Sequence, residues 1–244
     1  MQLRFVGCGD ALGSGGRFNT CFHVTGERAN FLIDCGASSL VALKHHGIRR
    51  DGIDVVLITH FHGDHFAGLP FLLLDAQFTR RTRPLVIAGP AGIEMRLTQT
   101  MEALFEHSSK TRQKFDLNIV ALQPEQTQDV GGLKVTPFPV VHGESGGPFL
   151  AYRIETEGRT IAYSADTEWT ETLVPAARGA DLFICEAYYY DRVVRNHLSL
   201  KTLEAHLPRI APKRLVLTHM SDDMLARIGS LPHIAASDGM TIDL

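Results

Sequence analysis

The chain has no long apolar run. Its greasiest stretch, Phe66 to Leu74, is interrupted by Gly68 and Pro70 and falls far short of the roughly 20 residues that cross a bilayer. The opening Met1-Gln2-Leu3-Arg4-Phe5-Val6-Gly7 lacks the apolar segment of a secretion signal, so no membrane partner is expected and the expected location is cytoplasmic. Cysteine is scarce and scattered. Cys8, Cys21, Cys35 and Cys185 form no Cys-x-x-Cys pair, which favours reduced, buried thiols over a disulfide or a thiolate metal site. Positive charge is not in excess: 24 Lys and Arg stand against 27 Asp and Glu, a net charge of −3. A protein-wide surface for gripping long nucleic acid is therefore not expected, and small anionic substrates are easier partners. The short clusters Arg49-Arg50 and Arg80-Arg81-Thr82-Arg83 read as solvated loops. The glycine-rich stretch Gly7 to Gly16 is followed by no Lys-Ser/Thr and opens no helix pattern, which excludes a P-loop and a dinucleotide fingerprint, although its small bulk suits close approach to a phosphate.

What the chain does have is a dense set of metal donors. Thr59-His60-Phe61-His62-Gly63-Asp64-His65 follows directly on the apolar, β-branched run Asp54 to Ile58, which reads as a buried strand. On extended backbone His60 and His62 share a side, and Gly63 lets Asp64 and His65 turn to a neighbouring position. Further apolar runs end in the same way, so that Asp34, His60, His142, Asp166, Glu186 and His219 all sit at strand ends. In a layered α/β protein, strand C-termini are where sites assemble. Helices are expected over 39–46, 66–78 and 93–108, the last with Met95, Leu97, Met101, Leu104 and Phe105 as core positions. The near copies Val56 to His60 and Leu215 to His219 suggest two similar halves, each a sheet with outer helices, within one domain spanning 1–244.

The donors divide into two sets. His60, His62 and His142 offer three nitrogens; Asp64, His65 and His219 offer a mixed set; Asp166, with two oxygens, can bridge. Imidazoles and carboxylates without thiolate suit two divalent metal ions, zinc first, with manganese or iron as alternatives. Such a pair brings a bridging water towards a neutral pKa and holds substrate oxygens, which is the chemistry of a metal-activated hydrolase.

Thr59 to His65 matches the T-H-x-H-x-D-H motif of the metallo-β-lactamase superfamily, and His142, Asp166 and His219 fall in the order of its further motifs. The chain thus resembles that superfamily over essentially its whole length. The resemblance implies an α/β fold, the four-layer αββα sandwich, and gives Asp34 the place of an early acid that supports the loop without binding metal. Cys185-Glu186-Ala187 with Asn196-His197-Leu198-Ser199 resembles the Glu and His pair of the phosphodiesterase branch, which includes ribonuclease Z and the cyclic-phosphate phosphodiesterase of the carbon–phosphorus lyase pathway. Gly89-Pro90-Ala91-Gly92 adds to the likeness, and the tail Thr218-His219-Met220-Ser221 is nearer to the cyclic-phosphate enzyme. By this resemblance His197 assists the leaving group and Glu186 orients it. Expelling an alkoxide gains much from a general acid, and expelling a thiolate gains little. The expected activity is therefore hydrolysis of a small, possibly cyclic, phosphodiester by a metal-bound hydroxide, with Asp64, His197 and Glu186 as catalytic residues.

Ribonuclease Z carries a tRNA-gripping arm between the strand matching Ala151 to Ile154 and the Tyr-Ser-x-Asp-Thr motif. Here only Glu155-Thr156-Glu157-Gly158-Arg159 intervenes, which argues against tRNA processing. Tyr188-Tyr189-Tyr190 could stack on a nucleobase or pack at the contact of a homodimer. The alternatives are an acyl-bond hydrolase of lactonase, β-lactamase or thioesterase type, an armless nuclease resembling ribonuclease Z, and a binding protein that keeps metal for structure. His23, His45, His46, His107, His206 and His233 are left outside the site.

Overall fold

The computed structural model describes residues 1–244. Strands β1 (Gln2–Gly7), β2 (Cys21–Thr25) and β3 (Asn30–Ile33) form an antiparallel meander, and helix α1 (Ser39–His45) carries the chain to β4 (Val55–Leu57), parallel to β3. Helices α2 (Gly63–Phe66) and α3 (Leu69–Phe78) lead to β5 (Leu85–Gly89), and α4 (Ile93–Leu104) leads to β6 (Leu117–Ala121), both parallel additions to that sheet. The second sheet opens with antiparallel β7 (Gln128–Val130), β8 (Leu133–Pro139), β9 (Leu150–Thr156) and β10 (Arg159–Tyr163). It continues in parallel through α5 (Leu173–Ala177), β11 (Leu182–Glu186), α6 (Leu200–Ile210), β12 (Leu215–Thr218), α7 (Asp222–Leu225) and β13 (Ile234–Ala235). Finally β14 (Thr241–Asp243) returns to pair with β1. The sheet orders are β14-β1-β2-β3-β4-β5-β6 and β13-β12-β11-β10-β9-β8-β7.

The two-residue side-chain period explains how the layers stack. Phe31 and Ile33 of β3 and Val55 and Leu57 of β4 point into a core shared with Ile154, Ile161, Leu182 and Val216 of the other sheet. The intervening Leu32 and Val56, with Ile58 just beyond β4, pack with Leu43, Leu73 and Leu97 of the helices outside. On the second sheet Phe183, Cys185 and Leu217 face outward against Ala177, Leu203 and Met224. Inner strands apolar on both faces read as unbroken apolar runs, which is why β4 and β11 stood out in the sequence. The result is helix, sheet, sheet, helix: the αββα sandwich. The near-copy runs fall on β4 and β12, one in each sheet. All four cysteines are buried and free, and no helix is long and apolar enough to cross a membrane.

The expected helix 66–78 is instead two helices broken at Ala67-Gly68. Gly68 is pressed so close to Gly36 that a Cβ would lie 2.2 Å from its carbonyl oxygen, and its own N–H donates to Cys35 O (2.9 Å). In α4 the buried stripe is Ile93, Leu97 and Met101, four residues apart; Met95 lies on the other face and Leu104 at the frayed end, and both are exposed. Phe105 is half-buried against Phe71.

Candidate metal centre and active site

The extended backbone after β4 delivers His60, and His62 then sits just before α2, whose first turn carries Asp64 and His65. The chain turns left-handed at Asp34 (φ 59°), Ala165 (φ 54°) and His219 (φ 53°), just past β3, β10 and β12. Such backbone is uncommon outside glycine and costs about 1–3 kcal/mol where it occurs. Here it coincides with side chains aimed at one point.

Two groups of donors meet there. His60, His62 and His142 form one, with His142 Nε2 3.0 Å from His62 Nδ1. Asp64, His65, Asp166 and His219 form the other. Asp166 Oδ2 lies 3.2 Å from Nε2 of both His65 and His219, and 3.6 Å from His142 Nε2, so it touches both groups. Asp64 Oδ2 lies 3.2 Å from His65 Nε2 and 3.1 Å from His219 Nε2. All seven residues singled out as metal donors are thus brought together, and none of the six histidines left aside joins them.

Behind this shell the imidazoles are held by their other nitrogens. His62 Nε2 donates to Ser145 O (2.9 Å) and His142 Nδ1 to Asn196 O (2.7 Å). His65 Nδ1 donates to Asp34 Oδ2 (2.7 Å). His60 Nδ1 lies 3.0 Å from Thr59 Oγ1, which with the Thr59 N–H donates to Asp34. A carbonyl can only accept, so in neutral rings the nitrogens of His62 and His142 that face each other both carry lone pairs. Two lone pairs at that separation repel unless a cation lies by them. Moreover, His60 Nε2, His65 Nε2 and Asp166 Oδ1, all within the cluster, are buried without a hydrogen-bond partner. Imidazole nitrogens and carboxylates converging in this way fit a divalent metal, which would take the place of the imidazole protons.

The electrostatics of the bare protein divide the cluster. Burial drives the His60 pKa well below the ordinary imidazole value and His142 down to about 4. Burial acts in the same direction on His65 and His219, but the carboxylates of Asp166 and Asp64 outweigh it, lifting His65 well above its ordinary value and His219 to about 9.

Glu186, at the end of β11, is fully buried; one oxygen accepts the Thr167 N–H and the other lies 3.1 Å from His197 Nδ1. The His197 ring stacks on Tyr188 (4.4 Å between centroids, 21° between planes) and lies 4.8 Å from the His142 ring. Burial works against charge on His197, and the Glu186 carboxylate outweighs it, raising its pKa; burial raises that of Glu186. His197, His142, Asp166 and His219 wall a cavity of about 360 Å³, with Tyr188 and Arg195 also lining it.

Other expectations change on this view. Gly7 and Gly9 serve close packing against Phe18 and Asn19, and Asp10 accepts the Leu12 and Ser14 N–H groups (3.2 and 2.9 Å). Those donors are taken up within the loop, and of it only Ala11 lines the cavity. Arg81 is no solvated loop residue: it is buried, and its guanidinium donates to the carbonyls of Arg50, Asp51, Ile53, Arg83 and Pro84. Of the three tyrosines only Tyr188 reaches the cavity; Tyr190 packs against Lys201 and Arg227, and Tyr189 against Arg192. Sequence reasoning missed Ser145, Asn196 and Tyr188 as supports of imidazoles, since two of them act through main-chain carbonyls that any residue carries.

Residues 29–220 match the Beta-lactamase superfamily domain. The chain belongs to the metallo-β-lactamase superfamily. Within the superfamily its likeness is to the phosphodiesterase branch. It is 28% identical to the ribonuclease Z of Agathobacter rectalis, over 89% of this chain and 87% of that protein. It is also 28% identical to that of Geobacillus kaustophilus, over 91% and 88%. Among solved structures, human tRNase Z, short form, superposes with a TM-score of 0.80 at 26% identity, covering 100% and 99% of the two chains. A diphosphatase from the PhnP family shares the fold at TM-score 0.80 and 20% identity, over 100% and 97%. The metallo-β-lactamase fold implies divalent metal, and the donor set described above fits it.

Proposed function

We propose that this protein is a metal-dependent phosphodiesterase acting on a small phosphodiester, and that residues 1–244 work as one catalytic domain. His60, His62 and His142 would hold one divalent ion and Asp64, His65 and His219 a second, with Asp166 between them; zinc suits this donor set first, manganese or iron next. When bound, the ions supply an activated water and neutralise charge on the phosphate oxygens. Asp64 orients the attacking water. Glu186 accepts the His197 Nδ1 proton, which leaves Nε2 to carry the proton delivered to the departing oxygen. The observation that carries this reading is His197 in the wall of the same cavity as His62, Asp64, His142, Asp166 and His219, held from behind by the fully buried Glu186 (3.1 Å). A thioesterase has little use for such an acid.

A small substrate, cyclic phosphodiesters included, is supported by the strand pair β9–β10, which closes through Glu157 (φ 50°) and Gly158 (φ 73°) in a two-residue turn with no room for a tRNA-gripping arm. Cleavage of RNA is the second reading, favoured by the ribonuclease Z relatives. Exposed Val41, Phe71, Phe78 and Met95 on α1, α3 and α4 would suit the contact of a homodimer. The test is metal analysis of the purified protein followed by assay on cyclic nucleotides, cyclic ribose phosphates, short RNA, a thioester and a lactone. Two equivalents of metal with turnover highest on a small phosphodiester is the expected result. Faster acyl hydrolysis, or inertness of the loaded protein on every phosphodiester, would overturn the proposal.

A further inference from the structure

Beside the metal-donor cavity lies a second concavity of about 370 Å³. It is bounded by Trp169, Val193, Val194 and Leu198, and it shares Arg195 and His197 with the first. The imidazole of His197 thus stands between two spaces of different character, one walled by acids and imidazoles and the other by those four apolar side chains together with Glu168, Arg195, Ser199 and Thr202. The volume lies within the range of small-ligand sites, about 300–1,000 Å³. Val193 is 81% exposed on the loop between β11 and α6, an apolar side chain left in water at the mouth of a pocket. Trp169 is half-buried, with His206 stacked on one indole face at 3.6 Å. The walls are fixed relative to His197: the Asn196 N–H donates to Glu168 (3.2 Å), Asn196 O accepts from His142, and Val194 bridges to His197.

We propose that this second pocket receives the organic part of the leaving alcohol, and that it selects diesters whose leaving alcohol carries a ring system of nucleoside size. The inference rests on the phosphodiesterase reading. A general acid must lie within hydrogen-bond reach of the oxygen it protonates, so the carbon on that oxygen lies beside His197. On the metal-donor side the space belongs to the phosphate; on the other side opens the mixed pocket, where Trp169 and Val193 offer apolar surface for a ring and Glu168, Ser199 and Thr202 offer polar groups for its substituents. In the step itself a water oxygen bonds to phosphorus as the bond from phosphorus to the leaving oxygen breaks. The leaving oxygen takes the His197 proton, and the water's proton passes through Asp64 to solvent, from which His197 is reprotonated. The products are a phosphomonoester and an alcohol.

Thymidine 3′-(methyl phosphate) offers two alcohols on one phosphorus, so the product ratio reads which group occupies the leaving side. The metal-loaded wild-type protein is expected to expel thymidine over methanol by about tenfold or more, the scale of discrimination by an apolar pocket. Val193→Asp, on an exposed loop where folding is not at stake, and Trp169→Ala are expected to bring that ratio down towards unity. A methanol-first ratio in the wild type, or a ratio that Val193→Asp leaves unchanged while the diester is still turned over, would overturn the proposal. Failure to hydrolyse any diester would instead overturn the phosphodiesterase reading on which it stands.

Discussion

His197→Ala tests the division of labour in the cavity most directly. The imidazole is tethered through Nδ1 to Glu186 (3.1 Å) and stacked on Tyr188, while 22% of the side chain remains exposed. Its removal opens a space in which water can take the imidazole's place beside the buried Glu186 carboxylate, and a melting curve of the variant separates lost stability from lost rate. A positioned general acid contributes about 10²–10⁴ in rate, which is about 3–5 kcal/mol at 1.36 kcal/mol per decade. The whole of that loss falls only on substrates whose leaving group needs the proton. For an alkyl or nucleoside diester, which expels an alkoxide, kcat should drop by about 10²–10⁴. For bis(p-nitrophenyl) phosphate, whose phenolate departs almost unaided, it should drop by less than about tenfold. The assay is kcat on both substrates for wild type and variant, with metal content measured in each preparation so that lost metal is not mistaken for lost acid. Equal losses on the two substrates would refute the reasoning, and so would an undiminished rate on the alkyl diester. Glu186→Gln should follow the same pattern with a smaller loss, because it loosens the hold on the imidazole without removing it.

Asp34→Asn weakens the support behind His65 and Thr59, and the metal affinity should fall about 10–100-fold in competition with a chromophoric chelator; unchanged affinity would reject a supporting role. Arg81→Met removes the donors to five main-chain carbonyls and should destabilise the protein by about 3 kcal/mol, a Tm lowered by roughly 6–12 °C, with kcat on the best diester unaltered; a loss below about 1 kcal/mol would show that water replaces it well. Burial opposes charge on Asp75, but Lys44 and Arg50, each 2.8 Å away, outweigh it and lower its pKa. Its contribution is therefore present above the ordinary Asp pKa, about 3.9, and is lost as pH falls through the lowered folded value. Asp75→Asn should reduce stability at neutral pH by no more than about 1 kcal/mol and flatten its decline in acid, as followed by urea unfolding from pH 7 to pH 2; an unaltered acid limb would refute the assignment.

The candidate metal donors were legible because His60, His142, Asp166 and His219 each follow an apolar run and His62, Asp64 and His65 follow directly on the first of these, and both the runs and the donors are local features. The sandwich followed, since strands such as Val55–Leu57 and Leu182–Glu186 are apolar on both faces and must be covered twice. The α2–α3 break was not legible, because Gly68 is required by a contact with Gly36 that only the tertiary fold creates. The exposure of Met95 escaped for a simpler reason: helical spacing alone does not tell which of two partly apolar faces meets the sheet. Arg81 looked like one cation among three until the fold turned it inward onto carbonyls from two separate segments. Trp169 and Val193, distant in sequence and unremarkable in type, become neighbours only beside His197.

These differences separate what is fixed in the site from what can vary. The donors stand at or just beyond the ends of β4, β8, β10 and β12 and in the first turn of α2, with backing hydrogen bonds and left-handed backbone at Asp34, Ala165 and His219 that the surrounding layers hold in place. A change there alters the geometry of every donor at once. The walls that meet the rest of a substrate come from loops: Gly143 to Ser145 on one side, and the stretch from Val193 to Asn196 on the other. Loops on a rigid scaffold tolerate change that strands do not. If the proposed function holds, the reaction class is written into the strand ends and the choice of substrate into the loop that carries Val193, Arg195 and His197. On the proposed function that loop would also supply the general acid, so a change in which alcohol is accepted and a change in how well it is protonated would arise within a few residues of each other and should be separable only by product ratios, not by overall rates.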